Sequence, residues 1–209
     1  RVAAVLLLAP DRRGHHVKPR DPYVAWVAAS VAAGGLVGVL ISFAGSPLLS
    51  VMFLALAPAL ILSPVVAMFG GRPVLWILTT FLGVGFTFAT TYVSFLLLAF
   101  GLGAVLPTVA PGNGSAPGWT LPVVAALACF IGALPLGVLQ RYALPVVRSA
   151  WSFPVATMFG AAALSPLVLA IIGAPLGWPP LVGAIGGLAY GVATAIALGR
   201  AFAARPDVS

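Results

Sequence analysis

"VLWILTTFLGVGFTFATTYVSFLLLAFGLGAVL", Val74 to Leu106, runs its whole length without a charged side chain. A helix needs about twenty such residues to cross the hydrocarbon core of a bilayer. This stretch exceeds that, so it reads as a membrane span. It lacks the alternation of polar and apolar residues that marks the strands of membrane β-barrels, and a backbone in lipid must then satisfy its own hydrogen bonds as an α-helix. The surplus length predicts a tilt, a kink or a projection beyond the hydrocarbon toward "PTVAPGNGSAPGW" (107–119).

The rest of the chain has the same character. Hydrophobic residues make up 62% and charged residues 6%, with a mean hydropathy of +1.17. About a quarter of the residues of a soluble domain are charged. Taking span length as the criterion gives six segments: Tyr23 to Phe43, Pro47 to Phe69, Val74 to Leu106, Leu121 to Leu139, Ala150 to Ile172 and Leu181 to Phe202. The expected fold is an all-α integral membrane protein, a bundle of six transmembrane helices over residues 22–204. A basic N-terminal segment (1–21) precedes it and a short tail (205–209) follows. The chain starts at Arg1 rather than Met, which leaves room for a signal or partner segment upstream. "RVAAVLLLAP" is too short to span and reads as an interfacial helix or the end of such an upstream element.

The net charge of +7 would suggest nucleic acid in a soluble chain. Here the cations are distributed by topology, and no nucleic-acid partner is expected. Arg1, Arg12, Arg13, Lys18 and Arg20 precede the first span, Arg72 follows the second, Arg141 and Arg148 follow the fourth, and Arg200 and Arg205 close the chain. The opposite connections, "AGS", "PTVAPGNGSAPGW" and "GAPLGWPP", carry no cation. The positive-inside rule therefore puts both termini in the cytoplasm. A bacterial or archaeal cytoplasmic membrane is the expected location, where the acceptor motif at Asn113 carries no meaning. Trp26, Trp76 and Trp151 on the inner side, and Trp119 and Trp178 on the outer side, occupy positions suited to interfacial anchors.

Several chemistries are disfavoured by what the spans lack. Glu is absent, and Asp11, Asp21 and Asp207 lie in the terminal segments, so a proton relay or carboxylate catalysis has no group at depth. His15 and His16 also lie outside the spans and have no companion ligands, and Cys129 is the only cysteine. No metal site, haem site or disulfide framework follows from these residues. No cofactor is expected, and no enzymatic activity unless a partner brings the acid–base groups.

Within the third span, Thr80, Thr87, Thr91 and Ser94 share one helical face, and Phe81, Phe88, Tyr92 and Phe95 repeat that spacing one residue later. In lipid a hydroxyl stripe turns inward, toward neighbouring helices, its own carbonyls or a solute. Gly183, Gly187, Gly191, Ala195 and Gly199 form a ridge at steps of four, and Gly34 and Gly38 a shorter one. Such ridges let backbones approach, whether within the chain or between copies. Arg141 and Arg148 snorkel at span ends or contact lipid phosphates or a partner's acidic groups. Gln140, beside Arg141, reads as interfacial.

Two strings resemble one another: "LSPVVAMFGGRPVLW" (62–76) and "LSPLVLAIIGAPLGW" (164–178). Their register divides six spans into three plus three of opposite orientation, the inverted repeat of many secondary transporters. A biased alphabet produces such matches too. Pro64 and Pro166 each remove a backbone donor and free a carbonyl, which Ser63, Ser165 or a solute could engage. The resulting expectation is a permease-type protein, or the membrane component of a multi-subunit transporter, for a neutral or apolar solute or lipid. Its candidate path combines Ser63, Pro64, Thr80, Thr87, Phe88, Thr91, Tyr92, Ser94, Ser165 and Pro166. The alternative is a non-catalytic accessory subunit of a larger membrane complex, respiratory or photosynthetic in type. Expected partners are membrane lipids, with further membrane subunits or a second copy of the chain left open.

Overall fold

A computed structural model describes residues 22–105, 120–147, 150–171 and 177–204. The helices are α1 (Pro22–Phe43), α2 (Pro47–Met68), α3 (Pro73–Val105), α4 (Thr120–Gly132), α5 (Leu134–Gln140), α6 (Ser152–Ala163), α7 (Ser165–Ile171) and α8 (Pro179–Ala203), with a 3-10 turn at Pro145–Val147. No strand occurs among the described residues. Among the described residues five helices are long and apolar enough to cross a membrane, and the bent pair α6–α7, counted as one broken span, brings the number to six.

The helix ends follow from local chemistry. Proline opens α1, α2, α3 and α8, where its missing N–H would have no partner in the first turn anyway. Ser46 caps α2 by accepting from the Leu49 amide at 3.3 Å. Gly70 ends that helix at φ 68°, a left-handed conformation that glycine adopts without steric cost, while the Gly71 amide returns to the Val66 carbonyl at 3.0 Å. The Arg72 amide then donates to the Ala143 carbonyl at 2.9 Å, tying the α2–α3 turn to the turn after α5.

The spans form a ring in chain order. Each packs mainly against its neighbours in sequence, and the first and last, α1 and α8, close the ring through the most extensive contact in the molecule. Glycine makes that closure. A Cβ added at Gly34 would land on the Gly183 carbonyl, one at Gly38 on the Pro179 carbonyl, and one at Gly187 on the Ser30 carbonyl. The contacts step in opposite directions along the two helices, so α1 and α8 run antiparallel with their backbones touching. The two small-residue ridges thus pack on each other. Gly191 continues the contact against Ser30 and Val27, Ala195 is half-buried, and at Gly199 the nearest neighbour is the Tyr23 ring.

One end of the ring is densely packed. Trp26, Phe69, Trp76 and Phe153 meet edge to face, with Tyr23 and Phe202 at the margin. Leu144 and Val147 of the turn are buried beneath them. Trp26 and Trp76 have 0% exposure, which corrects their reading as interfacial anchors: edge-to-face packing places both rings in the core. Trp151 and Trp178 are exposed, and Trp119 lies outside the described residues. The outer surface is apolar on every long helix, with Phe43, Leu60, Phe86, Leu97, Phe159 and Ile185 all exposed. Apolar cover of that extent suits contact with lipid chains.

The twin strings behave differently. α2 continues through Ser63 and Pro64 to Met68, whereas the chain breaks at Leu164 and bends by 53° between α6 and α7. The fourth span is also interrupted, at Ala133 between α4 and α5.

Candidate functional site

A cavity of about 120 Å³ lies inside the ring, with walls from all eight helices. Its apolar lining includes Ala33, Val37, Val84, Leu136 and Val168. Thr80, Thr87, Phe88 and Thr91 come to it from α3. The spacing that puts the three hydroxyls on one face also turns that face inward.

The remaining residues of the sequence-derived path lie elsewhere. Tyr92 is 60% exposed on the outer face of α3; one residue past Thr91 is a rotation of about 100° on a helix, enough to carry it out of the ring. Ser94 is half-buried and outside the cavity lining. Ser165 is buried and Pro166 half-buried, and the cavity is reached instead by their neighbours Leu164 and Val168. Pro64 is exposed. Ser63 donates to the Leu60 carbonyl at 2.9 Å, the carbonyl that loses its helical partner to Pro64. That acceptor is therefore consumed locally. Pro58, a second proline of α2, lines the cavity with Leu54, whose carbonyl has likewise lost its regular donor.

The polar centre of the site is Gln140, at the C-terminus of α5. It is 2% exposed. Its Nε2 donates to Thr80 Oγ1 at 3.1 Å, and its Oε1 accepts from the Tyr190 hydroxyl at 3.0 Å. These bonds join α3, α5 and α8 across the ring and correct the reading of Gln140 as interfacial. Proximity to Arg141 misleads because the helix ends between them: Gln140 turns inward, while the Arg141 guanidinium lies over the Trp151 ring at 4.7 Å and near Tyr142 at 5.5 Å. Arg148 lies outside the described residues. Beside this centre, Trp26 Nε1 donates to Thr194 Oγ1 at 2.8 Å, and Thr194 donates to the Tyr190 carbonyl at 2.6 Å.

Hydroxyls in these helices generally return to a carbonyl one turn back, as Ser30, Ser42, Thr79 and Thr157 do at 2.8 to 3.0 Å. Thr90 does so and also reaches the Gly132 carbonyl at 2.8 Å, holding the α4–α5 break against α3. In the cavity wall, Thr80 Oγ1 instead accepts from Gln140, and Thr87 Oγ1 is buried and has no partner. Cys129 also lines the cavity. The described residues hold no cluster of His, Cys, Asp or Glu suited to a metal ion.

Sequence reasoning missed Gln140, Tyr190, Thr157 and Thr194. The available signal was that strongly polar neutral side chains are rare in these spans, and a buried one in lipid requires a partner. Together, the fold and the cavity describe a multi-pass α-helical membrane protein whose interior cavity is mostly apolar, with a few hydroxyls and one carboxamide in its wall. Compared with protein-family models, with curated proteins and with solved structures, the chain matches none.

Proposed function

We propose that this protein is a permease-type membrane protein, or the membrane component of a multi-subunit transporter, acting on a neutral or apolar solute or lipid. The observation that carries the reading is the interior cavity, apolar over most of its wall and supplied with hydroxyls and one carboxamide but no ionisable carboxylate, amine or imidazole. A charged substrate would be left there without a counter-charge. The protein works without a cofactor and is not an enzyme in this reading, and any energy input comes from a partner.

Topology enters the proposal as well. Arg72, Arg141 and Arg200 are grouped at the aromatic-packed end by the Arg72–Ala143 bond and the Phe69–Phe202 contact. We take that end as cytoplasmic, with both termini there. The chain-order ring is compatible with a three-plus-three inverted repeat, in which spans one and four, two and five, and three and six correspond. The different courses of α2 and α6–α7 at their Ser-Pro pairs would then be divergence between the halves.

The test is solvent access. With Cys129→Ala as background, Thr87→Cys should react with a small water-soluble thiol reagent in membranes, and faster when applied from one side. No reaction from either side under any condition, with fixed-stoichiometry co-purification of another subunit, would favour the accessory-subunit reading. The broad exposed face of α3, with Phe81, Phe86 and Tyr92, is the surface such an assembly would cover.

A further inference from the structure

The hydrogen-bonding inventory of the cavity wall narrows the ligand. A carboxamide offers two N–H donors and an oxygen with two lone pairs. The structure engages one Gln140 N–H, on Thr80, and one Oε1 lone pair, by Tyr190. One amide N–H therefore remains, together with the hydroxyl proton of Thr80, which serves Gln140 only as acceptor, and that of Thr87, whose oxygen has no partner. Acceptor sites are open as well, among them the second Oε1 lone pair, the Thr87 oxygen and the Leu54 carbonyl freed by Pro58. An oxygen with an unused lone pair is tolerated more readily than an orphaned N–H, so in a site with no water-like dielectric the unmet amide donor is the group a ligand must satisfy.

We propose that the cavity binds an uncharged, carbonyl-bearing apolar compound, its oxygen accepting from the free Gln140 N–H and its body lying among Val84, Leu136 and Leu164. This rests on the solute-handling reading and specifies its substrate class. Size sets the scale: an apolar cavity of about 150 Å³ holds benzene, so the 120 Å³ here takes a ring-sized portion, and a whole phospholipid does not fit. Tyr190 and Thr80 are positioning residues that hold the carboxamide plane.

The test compares cyclohexanone with methylcyclohexane, which have the same skeleton with and without the acceptor. Both are titrated against the purified full chain in detergent, and the shift in unfolding temperature is read. Relative to methylcyclohexane, cyclohexanone is expected to act on the unmutated protein at about tenfold lower concentration than on Gln140→Met, the equivalent of one hydrogen bond to an otherwise unmet donor. Gln140→Met keeps the side-chain shape but has no side-chain N–H, and methylcyclohexane reports any change in the cavity itself. Partition into the micelle is common to both proteins and cancels in this ratio. The same cyclohexanone-to-methylcyclohexane ratio in both proteins overturns the proposal, as does the absence of a shift with either compound. If Gln140→Met does not fold, the carbonyl stretch of cyclohexanone bound to the unmutated chain decides: a downshift from its value in protein-free micelles is expected, and none overturns the proposal. Failure here with successful Thr87→Cys labelling would remove the ligand class and leave the transport reading standing; success here with no labelling would do the reverse.

Discussion

Thr194 accepts a hydrogen bond from the Trp26 indole N–H and donates one to the Tyr190 carbonyl, so one hydroxyl ties the largest buried side chain to the helix that carries the Gln140 partner. Thr194→Val keeps the volume and strands the indole donor, and is expected to cost about 1–2 kcal/mol, read as a lower unfolding temperature in detergent. Tyr92→Leu should stay within about 0.5 kcal/mol, because its ring faces outward and anchors nothing in the cavity. At this scale, the sequence showed the hydroxyls but not their employment. Thr80, Thr87 and Thr91 share a face by spacing alone, yet Thr79 and Thr90 bond to a carbonyl one turn back while Thr87 Oγ1 is left without a partner, a matter of rotamer and neighbours.

Helix by helix, glycine placement decides how closely the spans approach. Gly34→Ala and Gly183→Ala each drive a methyl into the facing main chain, and neither backbone can yield unless α1 and α8 separate. A loss of about 1–3 kcal/mol is expected for each, the upper end for the larger Gly34→Val, by thermal unfolding. Gly45→Ala, where an added Cβ meets nothing, is the control and should be near neutral. The ridges were legible because small residues at steps of four make a stripe on any helix. Their mutual pairing was not, since the same stripe serves a second copy of the chain equally well. The breaks at Ala133 and Leu164 were likewise hidden: proline marks where a helix loses a donor, but α2 keeps its course through Pro58 and Pro64, and only neighbouring packing distinguishes a tolerated proline from a bend.

For the molecule as a whole, sidedness is the direct measurement. On a Cys129→Ala background, Arg72→Cys should be labelled by an impermeant thiol reagent only from the cytoplasmic face and Gly45→Cys only from the opposite face; the reverse pattern would refute the cytoplasmic assignment of both ends. What the sequence determined alone was that the chain forms long apolar helices, roughly where they lie, and that cations fall between them or at their ends rather than within them. Those properties are local, fixed by backbone hydrogen bonding in a medium without water and by the cost of charge in lipid. The tertiary structure decided the closed ring, the pairing of first and last helices, the burial of Trp26, Trp76 and Gln140, and the cavity. The physical reason lies in the solvent. In water an apolar stripe marks the buried face of a helix, whereas in a bilayer the lipid-facing surface is as apolar as the interior. Hydrophobicity therefore points in no direction, and the inward face is set by small residues and polar partners whose matches lie on other helices.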